Sequence, residues 1–157
     1  MDASGSTPAA TALAVDAAGN NRIAYFDTPN GDLRYAISQP DMTAPGAPAL
    51  FIDAGRTTIA VAWTAPGDDG SSGNASAYDL RRSLSPIDDS NFSQATIVPT
   101  GPPGPAGTQE CADFQSQPSC TTHYFALRVL DDLGNQSPLA IGQVTTNCSG
   151  SLEVLCF

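Results

Sequence analysis

Thr57-Thr58-Ile59-Ala60-Val61-Ala62-Trp63 is followed by Gly67-Asp68-Asp69-Gly70 and then by Tyr78-Asp79-Leu80-Arg81. Side chains alternate along an extended chain, so Ile59, Val61 and Trp63 share one face and Ala60, Ala62 and Thr64 the other. Tyr78 and Leu80 likewise share a face, with Asp79 and Arg81 opposite. The Gly-Asp-Asp-Gly run between these segments carries turn chemistry. The same period returns downstream, where Phe125, Leu127 and Val129 alternate and His123 falls on their face. Asp131-Asp132-Leu133-Gly134-Asn135 then reads as a turn, because Gly134 and Asn135 tolerate left-handed backbone. Half-buried strands separated by polar turns predict an all-β chain.

The rest of the sequence agrees with that class. Glycine and proline are frequent, at 14 and 13 of 157 residues, and punctuate the chain at the spacing of short strands. Apolar residues recur at helical spacing for no more than two turns, and no run approaches the ~18 apolar residues of a membrane span. Sixteen acids against six bases give a formal charge of −10. Such a surface repels a phosphate backbone and an anionic membrane, which excludes nucleic acid and lipid headgroups as expected partners.

Trp63, Tyr78 and the Gly134-Asn135 turn together make residues 48–146 resemble a fibronectin type III domain of the bacterial secreted kind. The resemblance implies a seven-stranded, immunoglobulin-like β-sandwich. It implies that Trp63 plugs the core between the sheets, with Tyr78, Leu80, His123, Phe125 and Leu127 around it. Residues 49–53 and 58–64, a short strand within residues 92–97, and residues 139–144 would supply further strands. Where the family has a leucine and then a corner tyrosine, this chain has Phe114 and Cys120-Thr121-Thr122-His123. His123, or Tyr124 shifted inward, is expected to make the corner hydrogen bond. The proline–glycine loop at 99–107 matches a loop common in the family. What the family implies for function is spacing, adhesion, or contact with a protein or carbohydrate ligand, without catalysis or a cofactor. An Arg-Gly-Asp tripeptide is absent from the sequence.

Ahead of this region, Leu13 and Val15, Ile23 and Tyr25, and Leu33, Tyr35 and Ile37 each alternate with other residues. The period of two puts the larger apolar residues of the three segments on one face. Turn signals at residues 17–21 and at Pro29-Asn30-Gly31-Asp32 predict a three-stranded meander. Leu13 to Asn20, Ile23 to Asp27 and Asp32 to Ala36 resemble a repeat of bacterial β-propeller-like proteins, although one copy is too short to close a propeller. Three short strands need a covering surface. Gln39-Pro40 and residues 41–47 read as a linker. The expected organisation is therefore residues 1–44 as meander and linker, 45–147 as the sandwich and 148–157 as a tail. Met1-Asp2-Ala3-Ser4-Gly5 lacks the basic start and apolar centre of a signal peptide, so an exported protein would be represented here by a mature chain or a piece of one.

Cys111, Cys120, Cys148 and Cys156 lie at spacings of C-x8-C and C-x7-C, unlike the close pairs of a zinc site. An even count predicts disulfides and an extracellular or cell-surface location. Of three possible connectivities, Cys111–Cys120 and Cys148–Cys156 close the shortest loops, each worth about 2–3 kcal/mol. His123 is the only histidine. It stands near no nucleophile-elbow pattern, so a catalytic role is not expected. The acidic pairs Asp68 and Asp69, Asp88 and Asp89, and Asp131 and Asp132 are solvated turn residues on one reading. On another, the first and third pairs meet at one end of the sandwich as a calcium site, although no D-x-[DN]-x-[DN]-G run is present. The expected function is a non-catalytic extracellular spacer or binding module. Two alternatives are a self-assembling filament subunit that exchanges N-terminal strands, and an accessory domain of a secreted hydrolase.

Overall fold

The computed structural model describes residues 11–16, 21–27, 29–38, 41–150 and 155–156. The expected turn at 17–20, residues Gln39 and Pro40 of the linker, and residues 151–154 and 157 of the tail lie outside the described residues. The chain divides into two compact units, Met1–Met42 and Thr43–Phe157.

The first unit is a single antiparallel sheet in the order β1-β2-β3, with β1 at Thr11–Val15, β2 at Asn21–Asp27 and β3 at Asp32–Ser38. Its second turn closes through Gly31, at φ 69°, whose N–H donates to Asp27 O at 2.8 Å. Asn30 Nδ2 donates to Asp27 Oδ2 at 2.7 Å, and Arg34 pairs with the same carboxylate at 3.2 Å. The register sets Leu13 opposite Ile23 and Tyr25 opposite Arg34, while Phe26 faces Leu33 and Ala24 faces Tyr35. Opposed residues share a face. Leu13, Val15, Ile23 and Tyr25 therefore lie on one side, and Phe26, Leu33, Tyr35 and Ile37 on the other. Both faces of this one-layer sheet are apolar, which corrects the single apolar face expected. The period of two within each strand could not reveal this, because the relative parity of the strands is set by turn length.

Among the described residues, the second unit has seven strands in two antiparallel sheets: β4 (Leu50–Ala54), β5 (Ile59–Thr64) and β8 (Gln109–Phe114) in one, and β6 (Ala77–Ser83), β7 (Thr96–Val98), β9 (Thr122–Leu130) and β10 (Ala140–Thr145) in the other. Their orders are β4-β5-β8 and β10-β9-β6-β7. This is an immunoglobulin-like sandwich of three strands on four. β8 had no strand signal in the sequence, since its outer face is Gln109, Cys111 and Asp113 and its inner face begins with Glu110.

The core forms where the two inner faces meet. Ile59, Val61, Leu80, Leu127 and Val129 are fully buried, and Trp63 is 2% exposed. The Trp63 indole meets the Tyr78 ring edge-on at 5.4 Å, and Phe114 packs on Phe125 at 5.1 Å. Edge-on aromatic pairs add about 0.5–1.5 kcal/mol to what their area contributes. At the other edge β10 meets β4, and a Cβ on Gly142 would lie 2.6 Å from Ile52 Cδ1, so glycine lets the sheets close there. Ala126 points away from this core yet is fully buried, because the segment after β6 folds back over the outer face of the four-stranded sheet. Ile87 and Phe92 form a second small cluster there with Ala126, flanked by Tyr124 and Leu139. Arg81 and Arg128 each stack on the Phe92 ring, at 4.8 and 5.1 Å.

The cysteines pair as Cys111–Cys156 and Cys120–Cys148, with Cα separations of 5.9 and 4.5 Å. This corrects the expected Cys111–Cys120 and Cys148–Cys156 loops. Nearness in sequence misleads because β8 is extended and carries Cys111 away from the turn at Cys120. That turn instead lies beside the end of β10: Cys120 N–H donates to Thr146 O, and Thr146 N–H to Thr121 O. These backbone bonds set Cys148 beside Cys120.

Candidate functional site

The loop after β5 is built by close backbone contact. Gly67 N–H donates to Gly70 O at 2.9 Å, and Asp69 and Ser72 exchange both their backbone bonds at 3.0 Å. Gly46 N–H also donates to Gly70 O, and Gly70 N–H to Ala44 O, so the segment leading into β4 is laced to this loop. A Cβ on Gly67 would lie 2.2 Å from Ser72 N and O. The loop raises Asp68 toward the β9–β10 turn, and carboxylate oxygens of Asp68 and Asp132 come within 4.8 Å of each other. Asp69 faces solvent. Asp131 is 3% exposed and turned into its own loop, where it accepts from Leu133 N–H at 3.0 Å, Asn135 N–H at 2.7 Å and Asn135 Nδ2 at 2.6 Å. Burial acts to raise its carboxyl, and these hydrogen bonds outweigh it and hold the group below the usual carboxylate range. The four aspartates Asp68, Asp69, Asp131 and Asp132 thus form no common shell of the six to eight oxygens that calcium takes.

Asp88 performs the same service in the loop after β6. Its Oδ1 accepts from Ser90 Oγ at 2.6 Å and Ser90 N–H at 2.8 Å, which lowers its pKa. Asp89 pairs with Arg128 across the second cluster. The sulfurs of Cys111 and Cys156 lie beside Asp113 but are bonded to each other, which removes them as metal ligands.

At the opposite end the inner row of β6 runs Tyr78, Leu80, Arg82 and the inner row of β9 runs Val129, Leu127, Phe125, His123. Tyr78 pairs with Val129, Leu80 with Leu127 and Arg82 with Phe125, so His123 is the diagonal neighbour of Arg82. His123 is 4% exposed, and its Nε2 is buried without a hydrogen-bond partner among the described residues. An unmet buried polar atom costs about 1–3 kcal/mol. Burial, and then the charge of Arg82, push the imidazole pKa down, toward the neutral form. The Tyr78 hydroxyl is pushed up to about 12 by burial.

His123 does not tie the corner through Nε2. A residue unremarked in the sequence does so. Thr146, 1% exposed, donates its hydroxyl to Pro118 O at 2.6 Å and accepts from Thr121 N–H at 3.0 Å. The Cys120–Cys148 bond staples the same corner.

Arg82, Ser83, Thr96, Gln117 and His123 line a cleft of about 240 Å³. Arg82 stacks over Phe114 at 5.5 Å and reaches Gln117 Oε1 at a long 3.4 Å. Arg81 and Arg128 each hold a carboxylate, and Arg82 has none among the described residues. A second groove, of about 460 Å³, runs along the outer face of the three-stranded sheet, where Phe51, Ala60 and Ala62 lie beside Leu155 and Cys156 of the stapled tail.

No family model matches the chain, and no curated protein matches it. Among solved structures it is similar to the crystal structure of FN3tt, at 18% identity and a TM-score of 0.47, over 69% of this chain and all of that one. It is also similar to a fibronectin type III domain from the human KIAA0970 protein, at 12% identity and a TM-score of 0.44, over 71% of this chain and 79% of that one. A β-1,2-glucanase from Parabacteroides distasonis is similar at 18% identity and a TM-score of 0.45, over 77% of this chain but only 16% of the enzyme.

Proposed function

We propose that this chain is a non-catalytic extracellular module, a spacer or binding domain of a secreted or surface protein. The observation that carries the reading is where its chemistry-bearing groups are used. The space between the sheets is filled by Trp63, Phe125 and their aliphatic neighbours. Asp88 and Asp131 serve their own turns, Arg81 and Arg128 clamp Phe92, and the only histidine lies on the core row. Two disulfides fasten surface segments, which an oxidising compartment maintains. The test is fractionation of the native source, with thiol counting on denatured protein. The module reading expects the protein outside the cytoplasm with no titratable thiol. Cytoplasmic protein with four reactive thiols overturns it.

A second reading is favoured by the first unit. A one-layer sheet with apolar residues on both faces has two surfaces and two edges to satisfy. We infer that it packs against equivalent sheets of other copies, which would make the chain a subunit of an extracellular assembly. Sedimentation velocity decides. Assembly expects mass to grow with concentration and to revert on removal of residues 1–42. A monomer at all concentrations ends this reading and leaves the module reading standing.

A further inference from the structure

We propose that the cleft formed by Arg82, Gln117 and His123 at the β6–β9 end of the sandwich is a binding site for a single carboxylate group on a short aliphatic stem. Strand parity directs Arg82 to the core side, in line with Tyr78 and Leu80. An arginine placed there has a charge to satisfy, and among the described residues no acid meets it. Its guanidinium is oriented by the Phe114 ring at 5.5 Å, which leaves its N–H edge available; the contact to Gln117 Oε1 is long. The diagonal neighbour His123 lines the same cleft and is more than nine-tenths buried, with its unpartnered Nε2 sealed beneath the surface. A guanidinium that faces a small volume with only one long contact, to Gln117 Oε1, is complementary to the two oxygens of a carboxylate, which an arginine fork grips in its own plane.

The volume sets the size of the ligand. About 240 Å³ is below the range of drug-sized pockets and suits a carboxylate with a few carbons. Arg82 is the charged group facing His123; Ser83, Thr96 and Gln117 add neutral hydrogen-bonding groups to the wall, and Leu84 and Pro118 its apolar part. The acceptor would be either a free short-chain acid or the side chain of an aspartate or glutamate on a partner. The chemistry of the grip is the same for both. This inference is independent of where the protein resides, since the cleft would bind a carboxylate whether the module is a spacer, an assembly subunit or an enzyme's accessory domain.

Because His123 is the only histidine, its ring resonances report on the cleft without assignment ambiguity. The full chain is titrated with sodium propionate, with N-acetyl-glutamate amide and with inorganic phosphate, against sodium chloride at matched ionic strength. The inference expects saturable movement of the His123 ring signals with a carboxylate and none with chloride. The titration midpoint of His123 should rise by on the order of one pH unit when the site is full, as for an opposite charge within contact distance. Arg82→Gln should abolish the movement. Arg82→Lys keeps a cation without the planar fork and should bind more weakly, so it decides the matter if the glutamine variant fails to fold. Tighter binding of the blocked glutamate than of propionate assigns the site to a partner's side chain, and the reverse assigns it to a free acid. The proposal is overturned if the signals do not saturate, if Arg82→Gln responds like the parent, or if phosphate and chloride act dose for dose like the carboxylates, which would mark an adventitious ion only.

Discussion

Replacement of Thr146 by valine separates the corner's hydrogen bonds from its packing, because valine keeps the shape and removes the hydroxyl. In the parent that hydroxyl, 1% exposed with its residue, satisfies Pro118 O at 2.6 Å and Thr121 N–H at 3.0 Å. Valine would remove both bonds from a part-buried acceptor and a part-buried donor, at about 0.5–1.5 kcal/mol each. A destabilisation of about 1–3 kcal/mol follows, equivalent to a fall in melting temperature of about 5–15 °C for a unit of this size. Thr146→Ser keeps the hydroxyl and loses one methyl group, at about 1 kcal/mol. Urea unfolding followed by tryptophan fluorescence measures both. If valine is no worse than serine, the corner is held by packing and the disulfide, and the role assigned to this hydroxyl is wrong.

Gly67→Ala drives a Cβ into the Ser71–Ser72 backbone and should destabilise the unit by about 1–3 kcal/mol, whereas Gly101→Ala meets no atom within 4 Å and should be neutral; equal melts for the two variants would contradict the loop geometry. Acid unfolding should depend on Asp131. Its carboxyl is depressed in the folded state, so its contribution is present above the unfolded value of about 3.9 and is lost as pH falls through the lower folded value. Asp131→Asn should therefore flatten stability against pH in that acid window and leave the neutral-to-alkaline slope unchanged; an unaltered acid limb would speak against it. Peptide mapping without reduction should recover Cys111 joined to Cys156 and Cys120 joined to Cys148, and a fragment joining Cys111 to Cys120 would contradict the fold at the corner.

Much of the sandwich is written in strand parity. Ile59, Val61 and Trp63, then Tyr78 and Leu80, then Phe125, Leu127 and Val129 announce their common face because large apolar residues alternate with small or charged ones. Arg82 continues the β6 row by the same rule, so its inward direction was readable two residues beyond Leu80. β8 was not, since Gln109-Glu110-Cys111 carries no apolar alternation and is a strand only because β5 offers it a pairing edge. The cysteine pairing was hidden for a related reason: which thiols meet depends on how the end of β10 lies against the turn before β9, a contact remote in sequence. Thr146 looks like any threonine at a strand end, and its corner role exists only in three dimensions. In the N-terminal sheet each strand's alternation was legible, but the offset between strands was not, which is why its two apolar faces appear only with the register in hand.

The single tryptophan offers the most direct check on the packed interior. Iodide and acrylamide quenching of Trp63 in the native chain, compared with the chain unfolded in guanidinium, reports whether the indole lies between the two sheets. A blue-shifted native emission that resists both quenchers until the chain unfolds is the predicted result. Native emission as red and as readily quenched as that of the unfolded chain would contradict a two-sheet core closed around Trp63.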